Sequence, residues 1–243
     1  MNKPKHAAMQ KPQLKRFYED VAVEKTQNGW QILLDKRPIR TPEKHPLIVP
    51  TQALAEAVAK EWEAQKEFVL PDSMFQMQFS CAAIDYAANF RNDVEAETLA
   101  YITTDLLCYR ASEPPELVQR QNAQWNTWLH WFEKHFDVKM VVVMGIMPAQ
   151  QSPETIASMA LELSQQECFL LTATWLAAKY TGSLILAMAL IKNALPADEA
   201  FKISRLEEQY QTEQWGDDEE AHDKRVVMAN EICELGHFIS LLQ

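Results

Sequence analysis

The chain has 243 residues, of which 47% are hydrophobic and 23% are charged, with a formal net charge of −11 at pH 7. This composition is sufficient for one large folded domain or two modest ones, and it excludes wholesale disorder. The acidic balance argues against nucleic acid as a partner, because affinity for phosphate requires clustered positive charge.

Residues 16–50 predict β structure, because Val21, Val23 and the run 30–34 are strand-like. Asn28 and Gly29 form the strongest short hairpin signal, and Asp35 with Lys36 predicts a second tight turn. Four prolines confine parts of the region to edge strands or turns. We therefore expect a small antiparallel sheet that needs a packing partner to be stable.

The hydrophobic period becomes helical from Thr51, whose hydroxyl can cap the first helix. Pro71 predicts the start of a second helix. Asn92 with Glu95 has the spacing of a capping box before a third helix. Pro114 opens a long aromatic helix. These signals predict four helices between residues 51 and 136.

Residues 139–147 are rich in Val and Met and predict one more strand. Ser152 and Pro153 then supply a cap and a first helical position. Four helical segments are predicted from that point: 152–166, 167–193, 197–214 and 217–242.

The predicted fold class is α+β, with a small N-terminal antiparallel β domain followed by a larger, mostly α-helical domain. We assign residues 1–15 to a flexible N-terminal tail, residues 16–70 to the small β-rich domain with one helix, and residues 71–243 to the helical domain. Lys179 interrupts the apolar stretch 168–191, and each uncharged run is shorter than the ~20 residues that span a bilayer. No membrane insertion is predicted.

The cysteines Cys81, Cys108, Cys168 and Cys233 lie far apart and form no Cys-x-x-Cys spacing. This pattern is typical of reduced thiols in a reducing compartment. The first fifteen residues lack the apolar core of a secretory signal. We therefore expect a cytoplasmic protein in a bacterium.

The chemistry of phosphate binding is missing from the sequence. Its five glycines are isolated from one another, whereas a phosphate-cradling loop needs several close together. We predict no nucleotide site and no cofactor. The best metal candidate is Asp218 with His222 and Glu219, but a carboxylate–histidine pair four residues apart at a helix start is more simply a local pair. No metal is predicted.

No catalytic residue is predicted either. Ser183 follows Gly182 but lacks the Gly-x-Ser-x-Gly pattern of a nucleophile elbow. Cys108 has no histidine close in sequence, which favours a buried structural thiol. Asp85 and Asp105 each follow an apolar helical stretch and are as compatible with a cap or an ion pair as with a carboxylate pair. We predict that the protein is not an enzyme.

The segment 206–223, LEEQYQTEQWGDDEEAHD, is the most unusual in the chain. Gly216 can end one helix with a positive φ, and Asp217 or Asp218 can cap the next. Trp215 beside dense acidic charge exceeds what a helix corner needs, since tryptophan is strongly favoured at binding surfaces.

This segment resembles the C-terminal signature of the assembly chaperones for the α subunit of the F-type ATP synthase head. Asp218 departs from this signature, because it occupies a position that is often apolar in the family. Further matching blocks follow the family order: RFY at 16–18, LDKRPIRTP at 34–42, PLIVPT at 46–51, EWEAQ at 61–65, AID at 83–85, TDLLCYR at 104–110 and GSL at 182–184.

The resemblance implies an ATP-independent chaperone that binds the unassembled α subunit, masks its subunit interface and is displaced on assembly. It would be a monomer when free, and would act in the mitochondrial matrix if the chain is eukaryotic. The client-binding residues it implies are Glu219 first, with Trp215, Gly216, Glu220, His222 and Asp223.

Two alternatives stay open from the sequence. One is a general anti-aggregation holdase without a dedicated client. The other is a metal-independent hydrolase or lyase that uses Asp85, Asp105 or Cys108, which would require these residues to meet in one deep pocket.

Overall fold

The computed structural model describes residues 14–145 and 147–243, and the predicted α+β fold class is confirmed. Of the predicted tail, residues 1–13 lie outside the described residues, and the two that follow form the first strand. The strands are β1 (Leu14–Lys15), β2 (Val21–Thr26), β3 (Gly29–Leu34), β4 (Arg37–Pro38), β5 (Ile48–Val49), β6 (Phe68–Val69), β7 (Tyr109–Arg110) and β8 (Val143–Met144).

The helices begin after β5 and make up most of the remaining chain. They are α1 (Gln52–Glu63), α2 (Phe75–Cys81), α3 (Arg91–Ala100), α4 (Pro115–Phe136), α5 (Pro153–Ser164), α6 (Cys168–Thr181), α7 (Leu184–Ile191), α8 (Ala197–Ser204), α9 (Leu206–Trp215) and α10 (Glu219–Leu241). Within the described ranges, no helix has the length and apolar content needed to cross a membrane.

The antiparallel sheet is built on β3, which pairs with β2, β4 and β5. The predicted β2–β3 hairpin is present, with Thr26 paired to Gly29 across the turn. Gly29 has a φ of 140°, and a Cβ there would lie 2.4 Å from the carbonyl oxygen of Val49 on β5. Asp35 and Lys36 both have positive φ, and they form the second predicted turn.

Helix α1 covers the sheet, as the small size of the sheet requires. The Thr51 hydroxyl accepts a hydrogen bond from the Leu54 N–H (3.1 Å), so the predicted cap is confirmed. The buried face of α1 packs against β2 and β3. At the far end of the chain, α10 packs on α2, α6 and α8, and Thr51 also donates to the Leu241 carbonyl (2.5 Å).

One continuous core joins the sheet to the helices. Ile32 of β3, Phe79 of α2 and Phe238 of α10 are all buried in it. The Tyr18 hydroxyl donates to the Trp62 carbonyl (2.7 Å), which ties the chain before β2 to α1. Residues on both sides of the predicted boundary near residue 70 therefore contribute to the same core.

Two predicted helices are wrong in extent because each contains a break. The segment 167–193 divides into α6 and α7 at Gly182, which has a φ of 69°, and Ser183 then caps α7. The segment 197–214 divides into α8 and α9 near Arg205. The sequence did not predict these breaks, because the apolar helical pattern continues before and after each of them.

The capping box predicted at Asn92 and Glu95 is also wrong. Helix α3 begins at Arg91 after Phe90, without a side-chain cap, and Arg91 forms an ion pair with Glu95 (2.7 Å) instead. The strand predicted over 139–147 is reduced to β8, which pairs in parallel with β7. The predicted second helix is preceded by a 3₁₀ turn, Pro71–Ser73, and α2 continues into a π-helical turn, Ala82–Ala87.

Candidate functional site

The corner between α9 and α10 has the geometry that its sequence predicts. Helix α9 ends at Trp215, and Gly216 turns the chain with a φ of 87°. The Asp218 carboxylate accepts a hydrogen bond from the Ala221 N–H (3.0 Å) and caps α10. This reversal places the end of one helix and the acidic start of the next on the same surface, which we call the α9–α10 corner (residues 215–223).

Trp215 is the most exposed large hydrophobic side chain of the corner, with 79% of its surface accessible. An indole in water leaves a large apolar area hydrated, and burial of that area against a partner would be favourable. The corner therefore carries a rigid apolar group that the fold itself does not use.

Asp217 organises the turn. Its carboxylate contacts Nδ1 of His222 (3.0 Å) and also binds Arg225. The hydrogen bond from Arg225 holds the pKa of Asp217 below its ordinary value, and that from His222 lowers it further. His222 therefore pairs with Asp217. The local pair between Asp218 and His222 that the sequence suggested is not formed.

The first turn of α10 is acidic and exposed. Glu220 forms an ion pair with Lys224 (2.7 Å) one turn later. Within residues 14–145 and 147–243, no basic side chain lies in ion-pair contact with Glu219 or Asp223. Their charges are therefore compensated only by solvent and by the helix N-terminus.

The sequence interpretation missed an apolar extension of the corner. Val226 and Val227 follow on α10 and are 56% and 58% exposed. Val226 also lines a groove of about 310 Å³ between α10, α8 and α9, with Phe201 and Arg205. The available signal was that these valines fall outside the buried stripe of α10.

Asp105 lies far from the corner and has a structural role. It is fully buried, and its carboxylate accepts hydrogen bonds from the N–H groups of Leu107 and Ile185 (both 3.0 Å) and from the Ser183 hydroxyl (2.8 Å). Burial raises its pKa to about 6 even though these hydrogen bonds lower it. Asp105 and Ser183, which the sequence analysis considered as catalytic residues, both serve as helix caps.

Cys108 is also buried, and burial raises the pKa of its thiol well above the ordinary value, with a further contribution from the Asp105 charge. A thiol that resists ionisation is a poor nucleophile. Cys108 therefore has the character of a core residue.

Asp85 links the sheet to the helices. It accepts hydrogen bonds from the Thr41 hydroxyl (2.5 Å) and the Glu43 N–H (3.2 Å), and contacts Nδ1 of His45 (2.9 Å). Burial acts to raise its pKa, but the hydrogen bonds from Thr41 and His45 outweigh burial and lower it.

The residues considered for a hydrolase are not joined in one site. Asp85 bonds to the turn at 41–45, whereas Asp105 bonds at 107 and 183–185, so their hydrogen-bond partners do not overlap. In the part of the chain that the structure describes, no cluster of three or more His, Cys, Asp or Glu side chains could hold a metal ion.

Comparison with known proteins relates the chain to chaperones. The sequence model of a family described as "ATP12 chaperone protein" matches residues 15–133. The crystal structure of Atp12 from Paracoccus denitrificans is 35% identical, with a TM-score of 0.91 over 95% of this chain and 99% of that one. A solved protein from Agrobacterium tumefaciens is 39% identical, with a TM-score of 0.91 over 97% and 88%. The mitochondrial protein atp12 of Schizosaccharomyces pombe is 26% identical over 229 residues, which cover 87% of this chain and 77% of that protein.

The fold and the 35% sequence identity shared with Atp12 over nearly the whole chain place this protein in the class of chaperones. The chain belongs to the ATP12 chaperone family. The prediction of an ATP synthase assembly chaperone, which came from the family resemblance, is thereby confirmed at the level of the family.

Proposed function

We propose that this ATP12-family protein binds the unassembled α subunit of the F-type ATP synthase head and masks its subunit interface until assembly. The observation that carries the proposal is the α9–α10 corner, where a 79% exposed Trp215 stands beside carboxylates of Glu219 and Asp223 that are exposed to solvent. Such a surface has the anchor and the charge of a protein-binding site.

The proposed mechanism is competitive masking. An unassembled subunit exposes apolar and charged surface that would otherwise promote aggregation. Burial of Trp215 supplies apolar contact, while Glu219 and Asp223 attract basic client surface and set the orientation. The incoming β subunit must bind the α subunit more tightly than this protein does, so that assembly displaces the chaperone without nucleotide hydrolysis.

The other corner residues shape this surface. Gly216 allows the reversal through its positive φ, and His222 is held by Asp217. Glu220 adds charge, although Lys224 partly neutralises it. Val226 extends the apolar contact along α10. We propose that the protein acts without a cofactor and as a monomer, in the bacterial cytoplasm or, for a eukaryotic chain, in the mitochondrial matrix.

A general holdase is the second candidate, and several exposed apolar side chains favour it. Met144 and Met147 are 74% and 71% exposed, and Leu161 is 60% exposed. Flexible methionines suit surfaces that repack against many partners. A holdase would suppress the aggregation of unrelated unfolded proteins, whereas a dedicated chaperone would enrich one subunit.

The test is co-purification of the α subunit with the wild-type protein and with two matched variants. Trp215→Ala should reduce the recovered α subunit at least tenfold, because it removes the proposed anchor. Leu161→Ala removes a similarly exposed apolar side chain on α5 and should leave recovery unchanged. Equal loss from both variants would favour the holdase, and no loss from Trp215→Ala would remove the corner from the client site.

A further inference from the structure

A second large concave surface lies outside the α9–α10 corner. A groove of about 1040 Å³ runs between α1 and the C-terminal half of α10, and the chain at 64–76 forms its third wall. No residue of the corner lines this groove. Its apolar wall includes Phe68, Leu70 and Phe75, and Leu70 is 49% exposed.

The floor of the groove contains a polar group that lacks a partner. Gln76 is only 2% exposed, and its Nε2 donates to a carboxylate oxygen of Glu234 (3.0 Å). Its Oε1 is buried and accepts no hydrogen bond from the described residues. Buried acceptors are normally satisfied, so this oxygen is an unusual feature of the groove floor.

The groove is also acidic. Four glutamates line it, against Lys60 and Lys66. Glu61 accepts from the N–H groups of Gln76 (2.7 Å) and Met77 (2.9 Å). Burial raises the pKa of Glu61 to about 7, although these two hydrogen bonds act to lower it. The negative charge of Glu234 also acts to raise it. A cation bound beside these glutamates would therefore stabilise their ionised form.

We propose that this groove binds a segment of the client polypeptide in which a lysine or arginine is flanked by apolar residues. The cationic head would lie between Glu61 and Glu234, while the flanking side chains would contact Phe68, Leu70 and Phe75. The volume is at the upper end of small-molecule sites, and grooves between helices commonly bind short peptide segments.

This inference rests on the proposed function, because the partner is taken to be the same client. It adds a second contact that the corner does not provide. Two separate contacts on one client would strengthen binding through effective concentration, and loss of either one would leave a weaker complex.

One competing occupant is the chain's own N-terminal segment. Residues 1–13 contain Lys3, Lys5 and Lys11 and no acidic residue. They connect to β1, which pairs with β6, and Phe68 of β6 lines the groove. The experiment must therefore distinguish this segment from the client.

The test uses a photo-reactive p-benzoylphenylalanine at Ala57 in the groove and, separately, at Trp215 in the corner, with purified α subunit as the probe. We expect both positions to crosslink to the α subunit, with the Ala57 crosslink mapping to an apolar segment that contains Lys or Arg. A crosslink from Trp215 without one from Ala57 would overturn the groove proposal and leave the proposed function intact. Failure at both positions would overturn the groove proposal, whereas failure of the wild-type protein to retain the α subunit would overturn the proposed function itself. A crosslink from Ala57 to residues 1–13 would overturn the groove proposal in favour of the internal segment.

Affinity measurements complete the test. Glu234→Lys reverses the charge of the floor, and Ala57→Trp fills the groove without removing a hydrogen bond. Each should weaken the binding of the α subunit at least tenfold while circular dichroism shows a folded protein. Glu116→Lys, an exposed reversal on α4, should leave affinity within about twofold. Unchanged affinity for Ala57→Trp would overturn the proposal.

Discussion

The Ser183 hydroxyl donates a 2.8 Å hydrogen bond to Oδ1 of Asp105, a residue 78 positions earlier in the chain. The same carboxylate accepts the Ile185 N–H at the start of α7 and the Leu107 N–H. One buried carboxylate thus joins the chain before α4 to the break between α6 and α7. Residues that looked like separate catalytic candidates in the sequence form one structural connection.

This connection predicts an unusual pH dependence of stability. Because the folded pKa of Asp105 is raised to about 6, the folded state binds the proton more tightly than the unfolded state. The contribution to stability is therefore fully present below the unfolded pKa and is lost as pH rises from about 4 to about 6. The total loss should be on the order of 3 kcal/mol.

Asp105→Asn tests this dependence by urea unfolding across pH 4–7. The variant should be destabilised by about 2–5 kcal/mol at pH 4, because both oxygens of the protonated wild-type carboxyl can still accept hydrogen bonds, whereas an amide nitrogen cannot. The stability difference between wild type and variant should narrow as pH rises to 6. A constant difference across this range would show that Asp105 titrates like an exposed aspartate.

Asp85 should behave in the opposite way. Its folded pKa is lowered by hydrogen bonds from Thr41 and His45, so its stabilising contribution is present above the unfolded pKa, about 4, and is lost below it. Asp85→Asn should cost about 1–3 kcal/mol at pH 7 and less at pH 3.

Hydrogen exchange provides an independent measurement of the Asp85→Asn variant. Amide protection should fall over residues 41–45, where Glu43 and His45 lose their contacts to Asp85, and should persist in α6 and α7. Equal loss of protection throughout the chain would indicate global unfolding instead of a local release of this turn.

The acidic first turn of α10 predicts a binding defect without a folding defect. Glu219→Lys places a positive charge at a helix N-terminus, which should cost only about 0.5 kcal/mol. A like-charge contact with basic client surface should weaken α-subunit binding by several kcal/mol. Thermal midpoint and co-purification should be measured together.

Glu116→Lys is the matched control, because Glu116 is also an exposed acid in the first turn of a helix, α4. It should show the same small stability change and normal client binding. If Glu219→Lys and Glu116→Lys bind the client equally well, Glu219 does not belong to the client-binding site. A collapsed midpoint for Glu219→Lys alone would make its role structural.

The isolated glycines predict nucleotide independence. Addition of Mg-ATP should leave the thermal midpoint unchanged, and no ATPase activity should be detected. A ligand at a hundred times its Kd would add ~2.7 kcal/mol to stability and raise the midpoint by about 2–4 °C for a chain of this size. Such a shift would require a nucleotide-driven cycle in place of competitive masking, whereas an ATP effect seen only in the complex would point to the client.

Local chemistry explains which elements could be predicted from the sequence. Thr51, Gly216 and Asp218 act through contacts within four residues of themselves, so their types and spacing were sufficient to place the cap of α1 and the α9–α10 corner. Asp35 and Lys36 likewise form the predicted turn. Blocks distributed along the whole chain were also sufficient to predict the family, since their order does not depend on knowing the fold.

Tertiary contacts decided the remaining features. The sequence left Asp85 and Asp105 as possible catalytic carboxylates, because all of their hydrogen-bond donors except the Leu107 N–H lie 40 or more residues away. The groove beside α1 combines residues from 53 to 76 with residues from 234 to 241, and Glu234 contacts Gln76 only because α10 packs on α2. Periodicity identifies which face of a helix is buried, but only packing determines which distant charges share that face.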